Sequence, residues 1–217
     1  MTENPITVLL IDDHPVVRAG YRRLLEKTPD IRVVAEADNG ESGCTLHQEY
    51  KPDVTIVDLN MPGIGGLETI YRIKKKSPHA KILVFSMHTN ETIVRHALQT
   101  GVTGYITKQE GPEQLLKAVH QVSQGRVYID PEISSNVLFT ENGIHNPLGS
   151  PLDVLSRREF QLFQLLAEGN SVMQIATILS ISPKTVGVHH ANIMRKLKIK
   201  NNIQLIRLAI RCNVITA

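Results

Sequence analysis

Five short apolar runs, "ITVLLID", "IRVVAEA", "VTIVD", "KILVFS" and "GYITK", recur through the first 110 residues, separated by stretches with helical spacing. Val16, Ala19, Leu24 and Leu25 mark the first such stretch, after Pro15, and Leu46 lies in the second. Leu67, Ile70 and Ile73 mark the third, and Ile93, Val94, Ala97 and Leu98 the fourth. Leu115, Leu116, Val119 and Val122 mark a fifth, after Pro112. Strands that alternate with helices run parallel in one sheet with helices on both faces. The runs are β-branched and almost unbroken in apolar character, as strands covered on both faces must be. The alternation predicts an α/β, doubly wound, five-stranded parallel sheet over residues 1–125.

Around Gly125 the alternation stops. Residues 126–151 are rich in Pro, Gly, Asn and Ser and read as a linker with a short helix at Pro131–Phe139. Four compact helical signals follow in 152–217, which predicts a small all-α domain. "LSRREFQLFQLLAEG" places Glu159 three residues after Ser156, the spacing of a capping box, and closes at Gly169. "SVMQIATILS" is short and amphipathic. "SPKTVGVHHANIMRKLKI" opens with Ser182 as N-cap and Pro183 at the first helical position. "NNIQLIRLAIRCNVI" ends the series.

Charge divides along the same boundaries. Residues 1–125 carry 14 Lys and Arg against 15 Asp and Glu, 126–151 carry 1 against 3, and 152–217 carry 9 against 3. The formal charge of +3 is therefore concentrated in the C-terminal part, which points to a phosphate-rich partner there. No apolar run approaches the roughly 18 residues that a membrane span needs. "MTENPITVLL" has neither a basic n-region nor a long apolar h-region, so neither a signal peptide nor a membrane role is expected. Cys44 and Cys212, far apart, argue against a disulfide framework and suit a cytoplasmic protein.

Ligands of a parallel α/β sheet bind outside the carboxyl ends of its strands. Here the first run ends in Asp12-Asp13, the third in Asp58, the fourth in Ser86 and the fifth in Lys108. A single Asp at a strand end is as often a loop cap as a functional group. All five side chains at strand ends of one pattern argue for a site. Three converging carboxylates repel, and a divalent cation relieves them; Mg2+ suits oxygen ligands and keeps several waters. A carboxylate beside Mg2+ can act as nucleophile toward a phosphoryl group, whose oxygens Lys108 and Ser86 would hold.

On these residues the first 125 positions resemble a response-regulator receiver domain, a flavodoxin-like fold: "IDDH", "VDLNMPGIGGLE", "FSMH" and "YITK" match its motifs in order and spacing. The resemblance implies that Asp58 accepts phosphate from a sensor histidine kinase. It implies that Asp13 and Asp58 bind Mg2+ directly, with Asp12 mainly through water and Asn60 through its backbone carbonyl. Ser86 and Tyr105 would be the switch pair and Lys108 the phosphoryl-binding cation. Gln109 stands where many receivers have Pro.

In the third C-terminal helical signal, Val186, Ile193 and Leu197 recur every three to four residues and are assigned to the core. Ser182, Lys184, Thr185, Val188, His189, Asn192, Arg195 and Lys196 are assigned to double-stranded DNA. Val188 would meet a thymine methyl, and the helix N-terminus at Ser182 would meet a phosphate. His190 is either a DNA contact or a packed helix residue. A short helix, a tight turn and this second helix form a helix-turn-helix. "LSRRE", "LLAEG", "IATILSISPKTV" and "KLKI" resemble the LuxR-type helix-turn-helix. Joined to a receiver, the chain resembles the NarL/FixJ type of two-component response regulator, with "MPGIGGLE" and "SPKTV" leaning toward the GacA/UvrY branch. The resemblance implies a bacterial transcription factor, not an enzyme, that forms a homodimer when phosphorylated and binds an inverted-repeat promoter site. Ile203, Ile206 and Ile210 of the last helix would form the dimer surface. Gly187 stands where the family that this segment resembles often has Lys, and Ala191 where some members have another, so a receiver-controlled regulator of protein interactions, with weakened or lost DNA binding, is the alternative. A magnesium-dependent phosphatase is a second rival, but Asn60 replaces the second carboxylate it would need.

Overall fold

In the computed structural model, residues 4–87, 90–136, 138–140, 143–145 and 150–215 are described. They fall into two compact units, the first carrying a parallel sheet and the second the last four helices.

The sheet holds β1 (Ile6–Ile11), β2 (Ile31–Ala37), β3 (Val54–Val57), β4 (Ile82–Ser86), β5 (Gly104–Thr107) and β6 (Tyr128–Ile129), in the order β2-β1-β3-β4-β5-β6. All its pairings are parallel. The expected five-stranded sheet is thus six-stranded. β6 falls in the segment read as linker: two residues show no period, yet Tyr128 pairs with Gly104 and its hydroxyl donates to Gln114 Oε1 at 2.7 Å. The expected helix Pro131–Phe139 is α6, Pro131–Asn136, followed by β7 (Leu138–Thr140) and β8 (Gly143–His145), an antiparallel pair.

The intervening helices are α1 (Pro15–Leu25), α2 (Gly40–Tyr50), α3 (Gly65–Lys76), α4 (Glu91–Gln99) and α5 (Pro112–Ser123). Strand side chains alternate between two covered faces, as a period of two requires. Val8, Leu10, Val54, Ile56, Leu83, Phe85 and Ile106 form one core with Leu25 of α1 and Leu115, Ala118, Val119 and Val122 of α5. On the opposite face Ile11 fills the space a Cβ would take at Gly43 of α2. This winding reverses between β1 and β3, and β1 and β3 end side by side there, Asp58 N–H donating to the Ile11 carbonyl at 2.9 Å.

One buried polar pair lies beneath α2. His47 Nδ1 is 2.9 Å from Thr55 Oγ1, and both residues are buried. Burial holds the His47 imidazole below its ordinary pKa. The unfolded ring titrates near 6.5, so the folded unit favours the neutral form. The stabilising contribution of that preference is complete above about pH 6.5 and is lost as pH falls through the lower folded value. Urea midpoints from pH 7 to pH 5 should therefore fall more steeply for the wild type than for His47→Gln. Parallel pH profiles would show that His47 has no part in acid destabilisation.

The second unit opens with a 3-10 turn (Pro151–Val154), then α7 (Arg157–Ala167), α8 (Val172–Ile178), α9 (Pro183–Leu197) and α10 (Asn202–Arg211). Capping boxes join Ser150 to Asp153, Ser156 to Glu159 and Ser171 to Gln174, and the Ser182 side chain accepts from Thr185 N–H. Phe160, Phe163, Ile175, Val186, Ile193 and Leu205 are fully buried at its centre. The expected core residues Val186 and Ile193 are among them, and Leu197 is half-buried.

Candidate functional site

The carboxyl ends of β1, β3 and β5 deliver the charged cluster. Asp12 and Asp58 side chains are each 3% exposed, and between them Lys108, 8% exposed, lies with Nζ 2.6 Å from Asp12 Oδ2 and 2.7 Å from Asp58 Oδ2. Backbone bonds fix these ends: Asp12 N–H donates to the Ala37 carbonyl at 3.1 Å and Lys108 N–H to the Ser86 carbonyl at 3.0 Å. Burial alone would lower the Lys108 pKa, but the charge of Asp58 and the bonds to both carboxylates raise it. Asp58 Oδ1 accepts from Asn60 N–H at 3.2 Å. Ser86 and Tyr105 are fully buried on the neighbouring strands. Burial raises the Tyr105 phenol pKa, and the negative charge of Asp58 adds to the shift.

Three predicted residues, Asp12, Asp13 and Asp58, come together with one that the residue reading left out, His14. Single donor atoms of these four all lie within 4.8 Å of one another. Asp13 Oδ1 is buried and accepts no hydrogen bond among the described residues. Three carboxylates, one of them with an orphaned oxygen, are a donor set that fits a hard divalent cation. His14 stood in the quoted "IDDH", but a lone His after two acids has no periodic or spacing signal.

In the second unit α9 turns Lys184, Val188 and Arg195 outward at i, i+4 and i+11, with Thr185 and Asn192 half-buried beside them. Val188 is 56% exposed. Arg195 Nη2 lies 3.3 Å from Asn192 Oδ1. Ser182 is exposed at the helix N-terminus. Two of the expected contact residues also have partners within the domain. His190 Nε2 is 3.0 Å from Asn202 Oδ1 at the start of α10, an exposed contact within the domain. Lys196 Nζ is 2.6 Å from Glu159 Oε2, which also accepts Ser156 N–H at 2.7 Å, so this cation closes the α7 cap. Burial tends to raise the Glu159 pKa, but the bonds from Lys196 and Ser156 carry it below the ordinary value. His189 is half-buried, with Nδ1 unpartnered among the described residues. On α10, Ile203 and Ile210 are exposed and Ile206 is half-buried, at i, i+7 and i+3 along one face.

Residues 8–120 match the model of the response regulator receiver domain, and residues 153–209 match that of bacterial regulatory proteins of the luxR family. The chain belongs to the response regulators that join these two domains, the NarL/FixJ type. It is similar to the nitrate/nitrite response regulator NarL of Escherichia coli K12, with 38% identity across 93% of this chain and 94% of that protein. It is also similar to the response regulator GacA of Pseudomonas aeruginosa, with 37% identity across 98% and 99%. Among solved structures, it is similar to RcsB of Salmonella enterica serovar Typhimurium bound to the promoter rprA in the presence of the phosphomimetic BeF3−. That likeness has a TM-score of 0.70 and 28% identity, covering 94% of this chain and 98% of the other. Among the described residues, no helix is long and apolar enough to cross a membrane.

Proposed function

We propose that the chain is a phosphorylation-switched transcription factor, with a receiver at 1–125, a connecting segment at 126–151 and a DNA-binding domain at 152–217. The observation that carries the receiver reading is the Lys108 ammonium between two buried carboxylates. A sensor histidine kinase presents a phosphorylated imidazole. An Asp58 oxygen attacks phosphorus, the P–N bond breaks, and the imidazole leaves with the electron pair. Lys108 is placed to follow the new phosphoryl oxygens, because its ammonium already contacts Asp58 Oδ2. Asp12, Asp13 and Asp58, with the Asn60 carbonyl, would hold Mg2+, which when bound neutralises charge on the transferred group. Ser86 would hydrogen-bond a phosphoryl oxygen and, with Tyr105, shift the equilibrium between resting and active receiver.

The output is a homodimer through Ile203, Ile206 and Ile210, with two α9 helices reading an inverted repeat. Ser182, Lys184, Thr185, Val188, His189, His190, Asn192, Arg195 and Lys196 make up the proposed DNA face, of which His190 and Lys196 also have partners within the domain. The RcsB complex with promoter and BeF3− supports both the partner and the switch. The protein works in the cytoplasm as a regulator rather than by turnover of a small substrate. Gly187 and Ala191, exposed on α9, favour a second reading in which the domain binds protein instead of DNA.

DNA-site selection with the full chain, with and without beryllofluoride and Mg2+, separates these readings. A palindromic motif enriched only with beryllofluoride is the expected result. Equal enrichment in both conditions would remove phosphorylation as the gate. No enrichment by folded protein that has taken up beryllofluoride would overturn the DNA-binding reading and favour the protein-interaction one.

A further inference from the structure

We propose that Asp130, in the connecting segment, is a positioning residue of the phosphorylation switch: its carboxylate grips the carboxyl end of β5 and couples occupancy of the acceptor site to α6. This rests on the reading of Asp58, Ser86 and Lys108 as the receiver's phosphorylation site.

Asp130 and Thr107 are each 1% exposed, and the Thr107 hydroxyl donates to Asp130 Oδ2 at 3.1 Å. Burying a carboxylate costs free energy, and an apolar pair of the same shape would close this edge of the sheet without that cost. The polar pair instead fixes one geometry, and that geometry is of the switch strand. Asp130 N–H donates to the Tyr105 carbonyl at 2.9 Å, so the backbone and side chain of one residue hold Tyr105 and Thr107 together. These two alternate onto one face of β5, while Ile106 faces the core it shares with α5. The Asp130 carbonyl accepts Ser134 N–H at 2.8 Å in the first turn of α6, whose Ile133 is buried. Asp130, Tyr105, Thr107 and α6 all belong to the first compact unit.

Sheet order gives the coupling a sign. β5 lies between β4 and β6, so the grip holds its end from one side and the acceptor site acts on it from the other. Ser86 of β4 pairs in register with Thr107, and Lys108 N–H donates to the Ser86 carbonyl at 3.0 Å. The Lys108 ammonium already reaches Asp58 at the end of β3, on the side of β5 away from β6. A phosphoryl group on Asp58 that draws Ser86 and Lys108 inward therefore pulls the end of β5 away from β6. That displacement lengthens the Thr107–Asp130 bond and loosens α6. Coupling is reciprocal, so releasing the grip eases the same displacement and tightens binding at the acceptor site.

Hydrogen exchange of the full chain should show the α6 amides opening about fivefold faster once beryllofluoride and Mg2+ are bound. Thr107→Val/Asp130→Leu replaces both partners by apolar side chains of similar shape. In that variant the acceleration should vanish and beryllofluoride affinity should rise about fivefold. Thr107→Ser, which keeps the hydroxyl, should behave as the wild type. A tie that only braces the fold has the opposite sign: beryllofluoride affinity would fall in the double variant, and that result would overturn the proposal, as would an acceleration that survives there. Exchange of α6 in the wild type that does not respond to bound beryllofluoride would overturn it too, and needs no variant to fold. Wild type that takes up no beryllofluoride, as read by fluorine NMR, would instead remove the receiver reading and the coupling with it.

Discussion

Lys108→Ala is expected to cost the cation-free receiver about 3–5 kcal/mol of stability and to abolish its response to phosphorylation. The ammonium is the direct counter-charge to two carboxylates that are each 3% exposed. Removing it leaves both charges buried without it, which is more costly than never having built the cluster. The pH dependence has a definite sign. Lys108 has a folded pKa above its ordinary value, against the opposing effect of burial. Its contribution is complete below the unfolded value near 10.4 and disappears as pH rises through the higher folded one. Urea denaturation in EDTA measures the loss. Adding Mg2+ should recover more stability in the variant than in the wild type, because a divalent ion supplies charge to the same carboxylates. A loss below about 1 kcal/mol would mean that solvation by water, not the Lys108 charge, stabilises the cluster.

That cluster was legible in the sequence because each member ends an apolar run, and the period of those runs dictates a parallel sheet. Topology then did the rest: β1 and β3 are adjacent and β5 lies two strands from β3, so Asp12, Asp58 and Lys108 meet across 96 residues of chain. His14 was not legible as part of it. Its position depends on the torsions of the three-residue loop between β1 and α1, not on any period. β6 escaped for a related reason, since two residues cannot show an alternation, and the register with Gly104–Tyr105 is set by tertiary pairing. Binary pattern located the core face of α9 but could not say which outward polar groups have partners within the domain. Lys196 and His190 lie near charged or amide groups of α7 and α10, 37 and 12 residues away, and only the packing of three helices reveals those bonds.

Gly66→Ala is the second large effect, and its cause is steric. Gly66 lies in the first turn of α3, and its N–H donates to the Leu59 carbonyl at 3.2 Å. A Cβ there would lie 2.2 Å from the Asp58 carbonyl oxygen and 2.5 Å from Leu59 Cα. Both are backbone atoms, so no rotamer change relieves the overlap. Either α3 moves off the sheet or the segment after β3 shifts, and the second displaces Asp58 itself. The expected cost is about 3 kcal/mol or more, at the upper end of overpacking, with impaired beryllofluoride uptake. Two other glycines show that the effect belongs to the site and not to the residue type. Gly65 has φ +69 and open space around it, so Ala there should cost only about 1–2 kcal/mol of backbone strain. Gly187, within α9 and with nothing within 4 Å, should become more stable by about 0.5–1 kcal/mol as Ala, with beryllofluoride uptake unchanged. Denaturation midpoints and beryllofluoride titrations of the three variants test the ranking. A Gly66→Ala protein with wild-type stability and uptake would show that α3 is free to move away from the acceptor loop, and that close helix–loop packing is not what fixes Asp58 against Lys108.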